Sequence, residues 1–175
     1  MATNQIVKTN SYLLFKIGEE AFAANVSKVE CILELTKITK IPRTHKYIRG
    51  VINLRGSVLP IVDIKLKFGL EQTQYISNTC ILVIDVQLGD LPVKIGALVD
   101  NVLEVIEINE EDILPAPNIG KQFHSDFITG MYNGSDNSFI MLLDMDLVFS
   151  TKEISYMSSE LLFDEENNQS ADEEV

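Results

Sequence analysis

Short apolar runs recur about every ten residues along this chain, and residues typical of turns separate them. Most runs alternate apolar with polar residues or are rich in valine and isoleucine, which is the pattern of β-strands. Few stretches carry the spacing of an amphipathic helix. The pattern predicts a mainly all-β protein of about ten short strands, arranged as an antiparallel barrel or sandwich.

The clearest predicted element is a β-hairpin with Arg55 at its tip. Apolar runs at 51–54 and 58–62 flank Arg55, Gly56 and Ser57, which is the spacing of a tight turn that needs a residue tolerant of positive φ. A charged side chain on such a turn is held in position without being buried. Arg55 is therefore a candidate contact residue.

Further hairpins and short helices are predicted elsewhere. Gly18 and the stretch 133–136 separate pairs of apolar runs, and each has the composition of a hairpin turn. Asp63 can cap one or two helical turns, although the spacing after it also permits a strand, and a second short helix is predicted near the C-terminus. Segment 36–42 predicts an edge strand, because its lysines and its final proline discourage further pairing.

The predicted folded unit extends over residues 12–157 as two lobes, with the lobe boundary near 65–78. Residues 1–11 are polar and predict a flexible N-terminus. The stretch 160–175 contains seven acidic residues and no base, and it has too little apolar surface to order itself. Residues 163–175 are therefore predicted to form a disordered acidic tail.

The formal net charge of −12 at pH 7 bears on the class of partner. A strongly acidic chain repels phosphate backbones, so no nucleic-acid partner is expected. The first residues lack the apolar run of a signal peptide, and no apolar run approaches the roughly 20 residues that span a bilayer. The sequence predicts a cytoplasmic protein that does not insert into the membrane.

The residues capable of catalysis or metal binding are few and scattered. Cys31 and Cys80 each lie in an apolar run and are interpreted as core thiols rather than a bridge or a ligand pair. His45 and His124 are interpreted as surface residues. Three predicted strands end in an apolar pair followed by aspartate; repeated aspartates of this kind could form a Mg²⁺ or phosphoacceptor cluster, but aspartate also closes strands and opens turns. These aspartates are Asp63, Asp85 and Asp100. We expect no enzymatic activity, no metal and no cofactor.

Several motifs occur in a fixed order between Tyr12 and about Thr151. They include Tyr47-Ile-x-Gly-Val-Ile-Asn-Leu-Arg-Gly, Pro60-Ile-Val-Asp63, Phe68-Gly69, Gly96-Ala-Leu-Val-Asp100 and Ile113-Leu-Pro115. In order and spacing they resemble the CheW family, the coupling proteins of bacterial chemotaxis. The resemblance covers nearly the whole predicted folded unit.

The resemblance implies two five-stranded β-barrel lobes around a shared interior. It also implies an adaptor that couples the cytoplasmic tip of transmembrane chemoreceptors to the regulatory domain of a histidine kinase. Such a protein supports receptor arrays, is recruited to them at the membrane and self-associates weakly there. One alternative is a coupling protein of a related non-motility pathway. The other is an OB-like nucleic-acid-binding barrel, which the acidic charge and the 7% aromatic content disfavour.

The resemblance places receptor-binding or coupling positions at Val29, Gly50 and Arg55. Each also has a structural interpretation: Val29 as strand core, Gly50 as a turn residue and Arg55 as a clamp between the lobes. Relatives often carry an acid two residues after the position of Val29, where this chain has Cys31. The acidic partner of Arg55 is therefore left open, and we expect Arg55 to be exposed or weakly clamped.

Overall fold

A computed structural model describes residues 9–117 and 126–149. The described residues form ten strands, two short α-helices and two 3₁₀ turns. The strands are β1 (Thr9–Ile17), β2 (Glu20–Asn25), β3 (Val29–Glu34), β4 (Ile48–Leu54), β5 (Ser57–Asp63), β6 (Cys80–Leu88), β7 (Leu91–Val99), β8 (Asn101–Asn109), β9 (Ile128–Asn133) and β10 (Phe139–Leu143). The helices are α1 (Ile64–Lys67) and α2 (Met145–Val148), and the 3₁₀ turns are Val26–Lys28 and Glu110–Asp112.

The strands form two five-stranded sheets. Sheet 1 has the order β8-β1-β2-β10-β9, and sheet 2 has the order β3-β6-β7-β5-β4. Neighbouring strands are antiparallel except for the pairs β2–β10 and β5–β7. The predicted all-β class with two five-stranded lobes is confirmed. In the described part of the chain, however, neither sheet closes into a barrel, because its two outer strands are not paired with each other.

The chain passes from sheet 1 to sheet 2 at the 3₁₀ turn Val26–Lys28 and returns at Asp100, between β7 and β8. Segment 65–78, where the sequence predicted the lobe boundary, therefore connects β5 and β6 of the same sheet. The polar composition of this segment reflects exposure of a long connection rather than a change of lobe. Sheet 1 is built from both ends of the described chain.

Three hydrophobic clusters hold the sheets together. The largest lies between the sheets and includes Phe15, Phe22, Leu82, Ile84 and Phe149; we call it the shared core. A second cluster lies on the other face of sheet 2 and receives side chains from both outer strands, β3 and β4. Because the outer strands contact one cluster, sheet 2 must curl. A third, smaller cluster lies on the other face of sheet 1.

Most local predictions agree with the structure. The hairpins at Gly18, Arg55 and 133–136 are present. The carboxylate of Asp63 accepts a hydrogen bond from the Lys65 amide at 3.0 Å and caps α1. The edge strand predicted at 36–42 is wrong as a strand: in this segment only the isolated bridge between Thr39 and Val51 is formed. Residues 9–11, which were predicted to be part of a flexible N-terminus, belong to β1. Residues 1–8, His124 and the predicted tail lie outside the described residues.

Candidate functional site

Each sheet has one outer strand, β3 in sheet 2 and β8 in sheet 1, that contributes a valine to the margin of the shared core. Val29 of β3 and Val102 of β8 both pack against the shared core. Cys80, which is paired with Glu34 of β3, donates a thiol hydrogen bond to the carbonyl oxygen of Asn78 at 3.2 Å, and its pKa is also influenced by the backbone of Val102. Burial raises the pKa of the Cys80 thiol, the charge of Glu34 raises it further, and the backbone of Val102 lowers it.

A β-bulge in β3 brings two aliphatic side chains to the same face. Val29 is paired with Ile84, and Ile32 is paired with Leu82; both partners belong to the shared core. Residues three apart in a regular strand face opposite sides of the sheet. The extra residue between Val29 and Cys31 reverses this parity. Val29 and Ile32 therefore both face the space between the sheets.

The same device occurs in β8. Val102 is paired with Phe15 and Val105 with Leu13, and both partners again belong to the shared core. The register shift between these pairs adds one residue to β8. Val102 and Val105 therefore face the same side although three positions separate them.

These four residues form what we call the seam patch: Val29, Ile32, Val102 and Val105. Val29 and Val102 are half-buried, whereas Ile32 is 46% and Val105 56% exposed. Exposed aliphatic side chains next to a packed core mark a surface on which a partner can bury apolar area. Glu34, Glu104 and Glu107 are exposed on the same two strands and give this end of the molecule acidic surroundings.

Glu30, inside the β3 bulge, forms an ion pair with a lysine and not with Arg55. Its carboxylate forms an ion pair with Lys94 of β7, and Lys94 also contacts Asp85 at 3.2 Å. The hydrogen bond to Glu30 raises the pKa of Lys94, and Asp85 contributes further. Glu30 is therefore not the partner of Arg55.

Arg55 lies in the two-residue turn between β4 and β5. Arg55 has φ +52° and Gly56 has φ +87°, and positive φ at both positions is characteristic of a type I′ hairpin turn. The Asn53 side chain accepts a hydrogen bond from the Gly56 amide at 2.8 Å. Arg55 is exposed, and within residues 9–117 and 126–149 no carboxylate pairs with it.

Gly50 is buried in β4 and has φ +135°. A Cβ atom at this position would lie 2.1 Å from the carbonyl oxygen of Thr39. That oxygen accepts a hydrogen bond from the Val51 amide at 2.9 Å. The absence of a side chain at Gly50 thus allows segment 36–42 to approach β4.

Arg49, which the sequence reasoning did not select, is the arginine that contacts a buried acid. Its guanidinium lies 3.8 Å from the carboxylate of Asp63 and 5.4 Å from the ring centre of Tyr75. Asp63 is fully buried and also accepts hydrogen bonds from the amide and hydroxyl of Thr73, at 2.9 and 2.8 Å. Asp63 thus fastens the 70–79 connection to the end of β5, in keeping with its interpretation as a turn-opening residue.

The three predicted site residues do not form one cluster. Val29 belongs to the seam patch, whereas Gly50 and Arg55 lie on β4 and its turn, at the opposite end of the sheet 2 strand order. Sequence reasoning missed Ile32, Val102 and Val105. Val29 and Ile32 are three residues apart in the sequence, and so are Val102 and Val105. This spacing places each pair on one face of its strand only when the bulge in that strand is known.

The described residues contain no group of three or more histidine, cysteine, aspartate or glutamate side chains that could hold a metal ion. Asp63, Asp85 and Asp100 each have separate partners. Asp100 accepts a hydrogen bond from the Gly18 amide at 2.6 Å and pairs with Lys65 at 3.7 Å. The repeated aspartates thus serve local structure. In the described part of the chain, no helix has the length and apolar character needed to cross a bilayer.

Comparison with known proteins identifies the family. The family model of the CheW-like domain matches residues 11–153. The chain belongs to the CheW-like family. The protein named chemotaxis protein CheW from Klebsiella aerogenes is 30% identical over 148 residues, which cover 85% of this chain and 86% of that protein. The protein of the same name from Rhizobium meliloti is 33% identical over 141 residues, which cover 81% and 88%.

A solved structure shows the same fold. The crystal structure of the scaffolding protein TtCheW from Thermoanaerobacter tengcongensis matches with a TM-score of 0.72 and 28% identity. The match covers 87% of this chain and 96% of that chain. This CheW-like chain thus has a known fold, and the resemblance of its sequence motifs to the CheW family is confirmed.

Proposed function

We propose that this protein is a non-enzymatic chemotaxis adaptor that couples the cytoplasmic tip of chemoreceptors to the regulatory domain of a histidine kinase. The observation that carries the proposal is the seam patch, an apolar surface on two outer strands beside the shared core. Family membership supports the proposal, since relatives are named chemotaxis proteins and one is described as a scaffolding protein. The protein acts in the cytoplasm and is recruited to membrane receptor arrays.

The shape of the seam patch suits a helical partner. An amphipathic helix presents apolar residues three and four positions apart along one stripe, and such a stripe can bury itself against aliphatic residues on neighbouring strands. Val29 and Val102 form the half-buried base, and Ile32 and Val105 form the exposed sides. The acidic residues around the patch favour a partner with basic or neutral flanks.

Arg55 and Gly50 belong to the proposed coupling surface in different ways. Arg55 is an exposed guanidinium on a tight two-residue turn, which suits a direct contact with a carboxylate of the kinase or the receptor. Gly50 acts through the backbone, because it allows segment 36–42 to pack against the strand that carries this turn. Weak self-association within arrays is part of the same proposal.

Substitution within the seam patch tests the receptor contact. We expect Val105→Ser and Ile32→Ser each to weaken binding to a soluble receptor signalling fragment by about tenfold, since each removes apolar area that the partner buries. Titration calorimetry measures the affinity. Both residues are half exposed, so each substitution should lower the free energy of unfolding by less than about 1 kcal/mol.

Val58→Ser is the matched control. Val58 is 45% exposed on β5, away from the seam patch, so its substitution should leave receptor binding unchanged. Equal loss of binding in the control, or full binding by both patch variants, would assign the receptor contact to another surface.

A further inference from the structure

The positive charge of this acidic chain is concentrated in one stretch. Eight of the 14 lysines and arginines lie between residues 37 and 67, where the only acid is Asp63. Asp63 is fully buried and faces Arg49. The stretch is therefore strongly positive within a chain whose net charge is −12.

Five of these basic residues form what we call the basic edge. They are Lys37, Lys40, Arg43, Lys46 and Arg55. All five are exposed, and they lie on the segment that precedes β4 and on the β4–β5 turn, along the outer edge of sheet 2. In the described ranges none of them forms an ion pair.

Protection of a sheet edge explains only part of this charge. Lysines on an outer strand discourage pairing with another chain, and this accounts for Lys37 and Lys40, which flank the bridge between Thr39 and Val51. Arg43, Lys46 and Arg55 lie outside the bridged part. Unpaired like charges repel one another, so the basic edge is a surface suited to an acidic ligand.

We propose that the acidic segment 160–175 of this same chain binds the basic edge and must be displaced by any acidic partner that uses it. The segment carries seven acids and no base, so its charge complements the edge and is repelled by the acidic surroundings of the seam patch. Binding of this kind relies on charge and does not require the segment to fold.

The chain is long enough for this contact. Phe149 packs in the shared core together with Tyr47 and Ile48, which border the basic edge. Ten residues separate Phe149 from Glu160, and ten extended residues reach about 33–36 Å. That distance is comparable with the roughly 35–40 Å diameter of a compact domain of this size. Attachment to the same chain raises the local concentration of the segment to about the millimolar range.

The test compares the native full chain with a full-chain variant in which the segment is neutral. The neutral variant carries Glu160→Gln, Asp164→Asn, Glu165→Gln, Glu166→Gln, Asp172→Asn, Glu173→Gln and Glu174→Gln. The probe is a labelled synthetic peptide with the native sequence of residues 160–175, and fluorescence anisotropy measures its affinity. In about 20 mM salt we expect the neutral variant to bind the peptide about tenfold more tightly than the native chain, and in about 300 mM salt the difference should disappear.

A charge reversal locates the contact. In the neutral variant, Lys40→Glu should weaken peptide binding about threefold to fivefold. The matched control Lys16→Glu makes the same charge change on β1 of sheet 1 and should change the affinity by less than about 1.5-fold. The sedimentation mass of the native chain should be that of a monomer under the conditions of the titration and should not change on neutralisation.

Four results would overturn the proposal. The first is equal peptide affinity of the native and neutral chains, and the second is an equal effect of Lys40→Glu and Lys16→Glu. The third is a native dimer that dissociates on neutralisation, which would assign the edge to the segment of a second copy. The fourth is tighter binding of a single-stranded oligonucleotide of equal charge than of the peptide, which would assign the edge to nucleic acid.

Discussion

The carboxylate of Asp63 has several partners from different parts of the chain. Its buried carboxylate accepts hydrogen bonds from Lys65, Leu66 and Thr73, and it faces the guanidinium of Arg49. It therefore joins three features of the chain: the end of β5, the start of α1 and the 70–79 connection. A buried charge is tolerated only when its hydrogen-bonding capacity is used in this way.

We expect Asp63→Asn to lower the free energy of unfolding by about 2–3 kcal/mol, because the amide loses the charge opposite Arg49 and directs an N–H group toward other donors. Urea denaturation followed by circular dichroism measures the change. Asp85→Asn is the control, since Asp85 is half exposed and its pair with Lys94 lies on the surface, where such pairs contribute less than about 1 kcal/mol. Similar losses for both variants would mean that the Asp63 contacts contribute no more than a surface pair.

Gly50 is a second residue whose local contacts can be tested by substitution. Gly50→Ala should lower the free energy of unfolding by about 3 kcal/mol or more, because the added Cβ would lie 2.1 Å from the Thr39 oxygen and φ is +135°. Gly18→Ala is a matched control: φ is +64° and no heavy atom lies within 4 Å of the added Cβ. It should cost only about 1–2 kcal/mol. If thermal and urea unfolding show equal costs, the approach of segment 36–42 to β4 is not what requires glycine.

Among the secondary-structure elements, those with local signals could be predicted from the sequence. The hairpin turns at Gly18, at Arg55 and at 133–136 and the cap at Asp63 depend on residues within a few positions of one another. The bulges in β3 and β8 depend on the register between distant segments. For this reason a motif pointed to Val29 as a candidate, whereas no local sequence signal placed Ile32, Val102 and Val105 beside it in the seam patch.

Cys80, the first residue of β6, is influenced by residues of both outer strands, Glu34 of β3 and Val102 of β8. Burial and the charge of Glu34 raise its pKa, so alkylation by iodoacetamide at about pH 8.5 should be slower than for an unperturbed cysteine, because less thiolate is present. Glu34→Gln removes one of the two causes and should speed alkylation at that pH, whereas Glu19→Gln, in the β1–β2 turn, should not. Mass spectrometry of the Cys80 peptide measures the rate.

The sign of the stability effect follows from the same shift. A thiol whose pKa is raised by folding keeps its proton to higher pH in the folded state than in the unfolded state. The contribution of the protonated thiol to the free energy of unfolding is therefore fully present below the unfolded pKa of the cysteine. It is lost as the pH rises through the folded pKa. Faster loss of stability with rising pH in Glu34→Gln than in the native chain would contradict this assignment.

The two sheets are interleaved along the chain. Sheet 1 takes β1 and β2 from the beginning and β8, β9 and β10 from the end, and sheet 2 is built from the strands between them. Composition reports exposure and not sheet membership, so the polar stretch at 65–78 indicated a lobe boundary that the topology does not have. The two points at which the chain crosses between the sheets have weaker sequence signals. At the first, Asn25 caps a three-residue 3₁₀ turn, and at the second, Asp100 is the single residue between β7 and β8.

The two outer strands of sheet 2 carry different surfaces. The β3 end contributes to the seam patch, and the β4 end carries the basic edge and Arg55. Surfaces on two different outer strands of one sheet can contact different partners at the same time, as the proposed adaptor requires. A loss of coupling without a loss of receptor binding is therefore a meaningful outcome for a residue at the β4 end.

The role of Arg55 can be tested by comparison with Arg49, an arginine six residues away. Arg55→Ala should lower the free energy of unfolding by less than about 1 kcal/mol, because the side chain is exposed and no described carboxylate pairs with it. Arg49→Ala should cost about 2 kcal/mol, because Asp63 is fully buried and loses its cationic partner. Under the proposed function, Arg55→Ala should nevertheless reduce receptor-controlled kinase activity in a reconstituted assay, since it removes an exposed contact and leaves the fold intact. A large destabilisation by Arg55→Ala would show that it clamps the lobes, and unchanged kinase control in a stable Arg55→Ala protein would remove Arg55 from the coupling surface.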